Sequence, residues 1–205
     1  MSVTHKYNIE HMNSNSSKPN DSVLEGLMKD AADLAAYKMR ENGEVLTEFI
    51  ASTPTYRLVL RGSPLRDEAA KDAYASFIRL WCIAAKVKAG VLVAESWMVN
   101  AEPGKPLDLS VRPSLSPRRR EIVFLAGEAL GSVYAYHVLP LLRDATGRFT
   151  GFGPTETFPP ELIEGRYKRL LPPHNLSDAQ RRTALRILIT TAWPWNSGRA
   201  SSSRS

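Results

Sequence analysis

The sequence predicts a single α+β domain, with a mixed or antiparallel sheet of about five to six strands and two helices packed on it. Three observations lead there. The chain has 205 residues, 43% of them apolar and 23% charged, enough for one substantial core and the balance of an ordinary globular protein. Long stripes of helical period stand at three places. Between them lie short segments of period two, giving the order α-β-β-α-β-β-β-(Pro-rich wrap)-α. The domain organisation that follows is a disordered lead-in over 1–20, an α+β core over 21–153, a Pro-rich wrap over 154–176, a terminal helix over 177–195 and a disordered tail over 196–205.

The elements follow in order. Asp21 or Ser22 can cap a first helix whose stripe is Leu24, Leu27, Met28, Ala31, Leu34, Ala35 and Met39, and Asn42-Gly43 stops it. Glu44 to Ala51 and Thr55 to Arg61, separated by Ser-Thr-Pro, alternate as a hairpin. Ser63-Pro64 opens a second helix with Asp67-Glu68 in its first turn, a stripe from Ala70 through Tyr74, Ile78 and Trp81, and an end at Gly90. Val91 to Val99 is a strand and Ala101 to Pro117 a long loop. Glu121 to Ala126 and Val133 to Leu142 form an antiparallel pair joined through Gly127 to Gly131, with Arg148 to Gly153 as an edge strand. Pro154, Pro159, Pro160, Pro172 and Pro173 predict an extended wrap without sheet. The last helix, Asp178 to Trp193, is expected to dock on the sheet through Leu185, Leu188, Ile189 and Ala192, leaving Arg181, Arg182 and Arg186 outward.

Charge is distributed unevenly. The net charge of +6 arises because residues 111–205 hold 14 Lys/Arg against 7 Asp/Glu, whereas residues 1–110 hold 13 against 14. In the basic half Lys168 is the only lysine, and arginine suits planar, bidentate contact with carboxylate or phosphate. The expected partner is an acidic host or phage protein, or a nucleic acid. The candidate binding residues are Arg112, Arg118, Arg119, Arg120, Arg166, Lys168, Arg169, Arg181, Arg182 and Arg186.

Sequence signatures of catalysis are missing. There is no GxGxxG, Walker loop, HExxH or GxSxG, and no Cys/His cluster of zinc spacing, so no metal or cofactor is expected. Cys82 lies in an apolar helical pattern and reads as a small buried hydrophobe in a reducing compartment. Glu95 and His137 sit in the middle of two strands. Were those strands neighbours, the two side chains could pair as acid and base, with Glu121 or Glu128 as a third group, in a hydrolase or nuclease. Without any long apolar run or signal-peptide core, the chain is expected in the cytoplasm with no membrane partner.

Glu95-Ser96-Trp97-Met98, Arg112-Pro113-Ser114, Pro117, Arg119-Arg120-Glu121-Ile122-Val123, Glu164-Gly165-Arg166 and Leu170-Leu171-Pro172-Pro173 form a pattern over residues 22 to 173. It resembles a family of uncharacterised bacterial and phage proteins. The resemblance implies a small cytosolic α+β domain of phage or mobile-element origin and carries no activity or site. The leading expectation is therefore a non-enzymatic interaction protein using its Arg-rich half, with nonspecific nucleic-acid binding and the Glu95/His137 hydrolase as alternatives.

Overall fold

A computed structural model describes residues 19–62, 65, 67–100, 111, 113–131, 133–163, 165–172 and 174–190. Helix α1 (Pro19–Asn42) buries Leu24, Leu27, Met28, Ala31, Ala35 and Met39 of the stripe that its spacing predicts, with Leu34 partly buried at its edge. Gly43, left-handed at φ 76°, closes it by donating its N–H to Met39 O at 3.1 Å. Strands β1 (Glu48–Ser52) and β2 (Arg57–Arg61) form the expected antiparallel hairpin.

Helix α2 (Glu68–Ala84) begins later than Ser63-Pro64 implies. Its N-cap is Asp67, whose carboxylate accepts the Ala70 N–H at 2.7 Å. Aspartate caps as well as serine and stands nearer the apolar stripe, so the helix starts there. It also ends before Gly90, with Lys86 left-handed at φ 57°, and Gly90 belongs to strand β3 (Ala89–Met98). Ser63 and Pro64, like most of the Ala101 to Pro117 loop, the lead-in before residue 19 and the tail after residue 190, lie outside the described residues.

Strands β4 (Arg120–Ala129), β5 (Val133–Arg143) and β6 (Phe149–Phe152) follow as a meander. The Pro-rich wrap does contribute to the sheet. Strand β7 (Glu156–Phe158) occupies the proline-free gap between Pro154 and Pro159 and pairs with Tyr136, His137 and Val138 of β5. The order is β2-β1-β3-β4-β5-β6 with β7 on β5, and every pairing is antiparallel.

Alternation divides the strands between two faces. One face carries Val91, Val93, Val123, Leu125 and Leu139 and packs on α1. The other carries Leu92, Ala126 and Tyr136 and packs on Tyr74, Ala75, Ile78 and Cys82 of α2. Each face thus has its own helix and its own apolar cluster. Gly127 allows α1 to come close, for a Cβ there would stand 2.6 Å from Met28 Sδ and 3.0 Å from Leu24 Cδ1. Helix α3 (Asp178–Thr190) packs on α2, so the expected docking of its leucines on the sheet does not occur.

Candidate functional site

The expected basic surface is divided. Arg120 opens β4 opposite Met98, at the end of the β3–β4 ladder, and α3 starts beside Lys86 at the other end, where Asp178 Oδ1 lies 3.8 Å from Lys86 Nζ. Ten residue pairs separate these ends, roughly 30 Å of strand. Arg118–Arg120 and the start of α3 therefore belong to different parts of the surface.

Several of the arginines are fasteners. Arg120 makes a bidentate pair with Glu156 (2.5 and 2.7 Å) that ties β4 to β7, and the bond to Glu156 raises its pKa. Arg166 donates to Glu68 O and Asp72 Oδ1, both at 2.8 Å, and pairs with the Glu68 carboxylate. Lys168 Nζ donates to the carbonyls of Pro160 and Ile163 at 3.0 and 2.8 Å. Arg119 lies over the Trp97 ring at 4.8 Å, a cation–π contact at the sheet end, and the exposed Arg118 adjoins it. Arg169 is exposed, and Arg112 lies outside the described residues.

Helix α3 is different. Its inner stripe consists of Arg181, Ala184 and Leu188, with Ala184 buried and Arg181 held by Asp178 at 2.9 Å. The outer side presents Leu185 at 49% and Ile189 at 74% exposure, one helical turn apart, next to the exposed Arg182 and Arg186. Neither of these two arginines has an ion-pair partner among the described residues. A side of two apolar and two cationic groups is thus left uncovered by the described residues.

Glu95 and His137 do not meet. They share the α1 face, but β4 runs between their strands: Glu95 pairs with Val123 and that with Leu139, whereas His137 pairs with Leu125. Two strand spacings and two residues along give a Cα separation of about 12 Å, with aliphatic side chains between. Glu95 accepts the Val45 N–H at 3.0 Å, Glu121 is paired with Arg143 at 2.5 Å, and Glu128 faces the opposite helix. The acid–base expectation is corrected by this register. His137 instead lines a cavity of about 580 Å³ between α1 and β5, and its burial lowers the imidazole pKa. A cleft of about 470 Å³ on the α2 face has Lys71 and Arg166 at its edge, both already paired with Glu68. Among the described residues no group of His, Cys, Asp and Glu is placed to hold a metal ion, and no helix is long and apolar enough to cross a membrane.

Sequence reasoning missed the main polar assembly, which clamps the wrap. Arg79 of α2 donates through Nε to Arg169 O (3.3 Å) and through Nη2 to the carbonyls of Arg166 and Lys168. Glu128 of β4, only 2% exposed, accepts the Leu171 N–H through Oε2 at 3.0 Å, the N–H groups of Arg169 and Leu170 act favourably on its charge, and Oε1 has no hydrogen-bond partner among the described residues. Burial raises the Glu128 pKa against the lowering effect of these bonds. The available signal was a carboxylate at the end of an apolar run, one residue before β4 stops. No motif spacing marks its partners, because they are backbone groups. Comparison with known proteins finds no match to a family model, to a curated protein or to a solved structure.

Proposed function

We propose that this chain is a non-enzymatic interaction protein that engages an acidic protein partner through the outer side of α3. The observation that supports the reading is the uncovered combination of Leu185 and Ile189 with Arg182 and Arg186. Exposed leucine and isoleucine one turn apart suit the apolar floor of a groove, and arginines flanking them suit carboxylates on its rim. A phosphate backbone would use the cations and leave the aliphatic groups without a role, so a protein partner fits better than a nucleic acid. The resemblance to bacterial and phage proteins favours a host or phage protein as that partner.

The test is affinity capture from host lysate with four baits: the parent, Arg182→Glu/Arg186→Glu, Leu185→Ser/Ile189→Ser, and Arg118→Glu/Arg119→Glu as a control at the other sheet end. The reading expects a partner that is recovered by the parent and control and lost from both α3 variants. Losing about 1–3 kcal/mol of interface energy per pair of changes would weaken binding roughly tenfold or more. Equal recovery with all four baits refutes it. A mobility shift that weakens steeply with salt would instead assign the surface to nucleic acid.

A further inference from the structure

The cavity between α1 and β5 goes beyond the interaction surface and is independent of it. Its walls are the inward side of α1, with Leu24, Met28 and Ala32 four residues apart, and the α1-facing row of β5, with Val133, Ala135 and Leu139. Both rows belong to the core pattern, yet they do not close on each other. Ala32 and Ala135 contribute only methyl groups, and the helix makes its close approach at Gly127, one strand away. The resulting space of about 580 Å³ is in the range of small-molecule sites, about 300–1,000 Å³.

The polar lining is unlike the surrounding surface. Further along α1, Asp30 is paired with Arg57 and Lys38 with Glu48. Glu25 and Lys29 of α1 and His137 of β5 all line the cavity, and none of their side chains has a hydrogen bond or ion pair with the described residues. From these placements we infer that the cavity binds a small molecule with an aliphatic or aryl body and one carboxylate. The body takes up the aliphatic walls, and the carboxylate accepts from the Lys29 ammonium and a ring N–H of His137. With the imidazole neutral the Lys29 and Glu25 charges balance, and the preference for an anion rests on the two donors, one from each wall, that can hold a single carboxylate. A plain hydrocarbon would strip water from Lys29 and His137 without replacing it. Burial keeps the imidazole neutral near pH 7, and a neutral ring still supplies one N–H.

Calorimetric titration of the full chain with decanoate, decanol and decylamine tests this. Decanoate is expected to bind one per chain with Kd at or below about 100 μM, and decanol and decylamine about tenfold or more weakly. Ala32→Phe, which fills the space, should abolish decanoate binding, with circular dichroism checking the fold. Lys29→Gln, on an exposed position that folding does not need, should weaken decanoate about tenfold and leave decanol unchanged. Absence of saturable decanoate binding overturns the proposal. So does equal affinity for the three probes, a preference for decylamine, or decanoate binding that Lys29→Gln leaves intact.

Discussion

Replacing Glu128 by alanine removes the carboxylate that joins β4 to the wrap, and the cost can be worked from its partners. One oxygen accepts the Leu171 N–H at 3.0 Å, and the N–H groups of Arg169 and Leu170 also bear on the carboxyl. A hydrogen bond to a charged acceptor contributes about 1.5–3 kcal/mol, and each buried donor left without a partner costs about 1–3 kcal/mol. Against these stands the removal of a poorly solvated charge. The expected net loss is about 3–5 kcal/mol, a large part of the roughly 5–15 kcal/mol that holds an ordinary domain together. Glu128→Gln keeps an acceptor of the same shape and should stay within about 1 kcal/mol of the parent. The pH dependence separates the two explanations. Burial raises the Glu128 pKa in the folded chain, so the folded state binds the proton more readily than the unfolded one. Its contribution is fully present below the unfolded value, about 4.3, and is lost as pH rises through the folded one. Urea denaturation at several pH values should therefore show a decline for the parent that Glu128→Gln flattens. An alanine variant within about 1 kcal/mol of the parent, or a glutamine variant with the parent's pH slope, would refute the reasoning.

A Cβ at Gly90 would stand 2.2 Å from Phe49 Cζ, so Gly90→Ala should cost about 1–3 kcal/mol in thermal or urea unfolding. Arg120→Met breaks the bidentate pair with Glu156, but both side chains are about a third exposed, so the loss should be near 1 kcal/mol. Its clearer sign should be faster hydrogen exchange over Glu156–Phe158. Burial lowers the His137 pKa, so its stabilising contribution is present above the unfolded value near 6.5 and lost as pH falls through the folded value. His137→Gln should remove that acid-side loss, measured as the change in Tm between about pH 7 and 5.

The helices were legible where one stripe of residues meets one surface. Leu24, Leu27, Met28, Ala31, Ala35 and Met39 are buried as their spacing requires, and β5 alternates as its residues suggest. Sequence reasoning fell short where a residue's meaning depends on a distant neighbour. Gly127 read locally as the start of a turn, yet β4 continues through it to Ala129, because the glycine admits α1 rather than bending the strand. The prolines of the wrap predict no sheet, but three of the four residues between Pro154 and Pro159, Glu156 to Phe158, are free to pair. In α3 the periodicity of Leu185, Leu188 and Ile189 marked an apolar side without saying which stripe is covered, and Ala184 proves to be its buried centre.

Charge was the least transferable signal, because a residue count records sign and omits the partner. The arginine-rich half suggested bidentate contact with carboxylate, and such contact is present, but many of the carboxylates belong to the chain itself. Arg120 holds Glu156, Arg143 holds Glu121, and Arg166 holds Glu68 and Asp72. Arg79, from the less basic half, grips three carbonyls of the wrap. Segments with little regular structure have backbone carbonyls to satisfy, and a planar guanidinium with five donors can serve several at once. Part of the arginine enrichment, Arg120 and Arg166, thereby serves to fasten the long wrap before any partner is invoked. The charge left for a partner is that of arginines without an internal acid, and on α3 it coincides with exposed leucine and isoleucine. Reversing Arg182 and Arg186 should for that reason weaken association while leaving the fold intact, whereas reversing Arg120 or Arg166 should disturb the fold first.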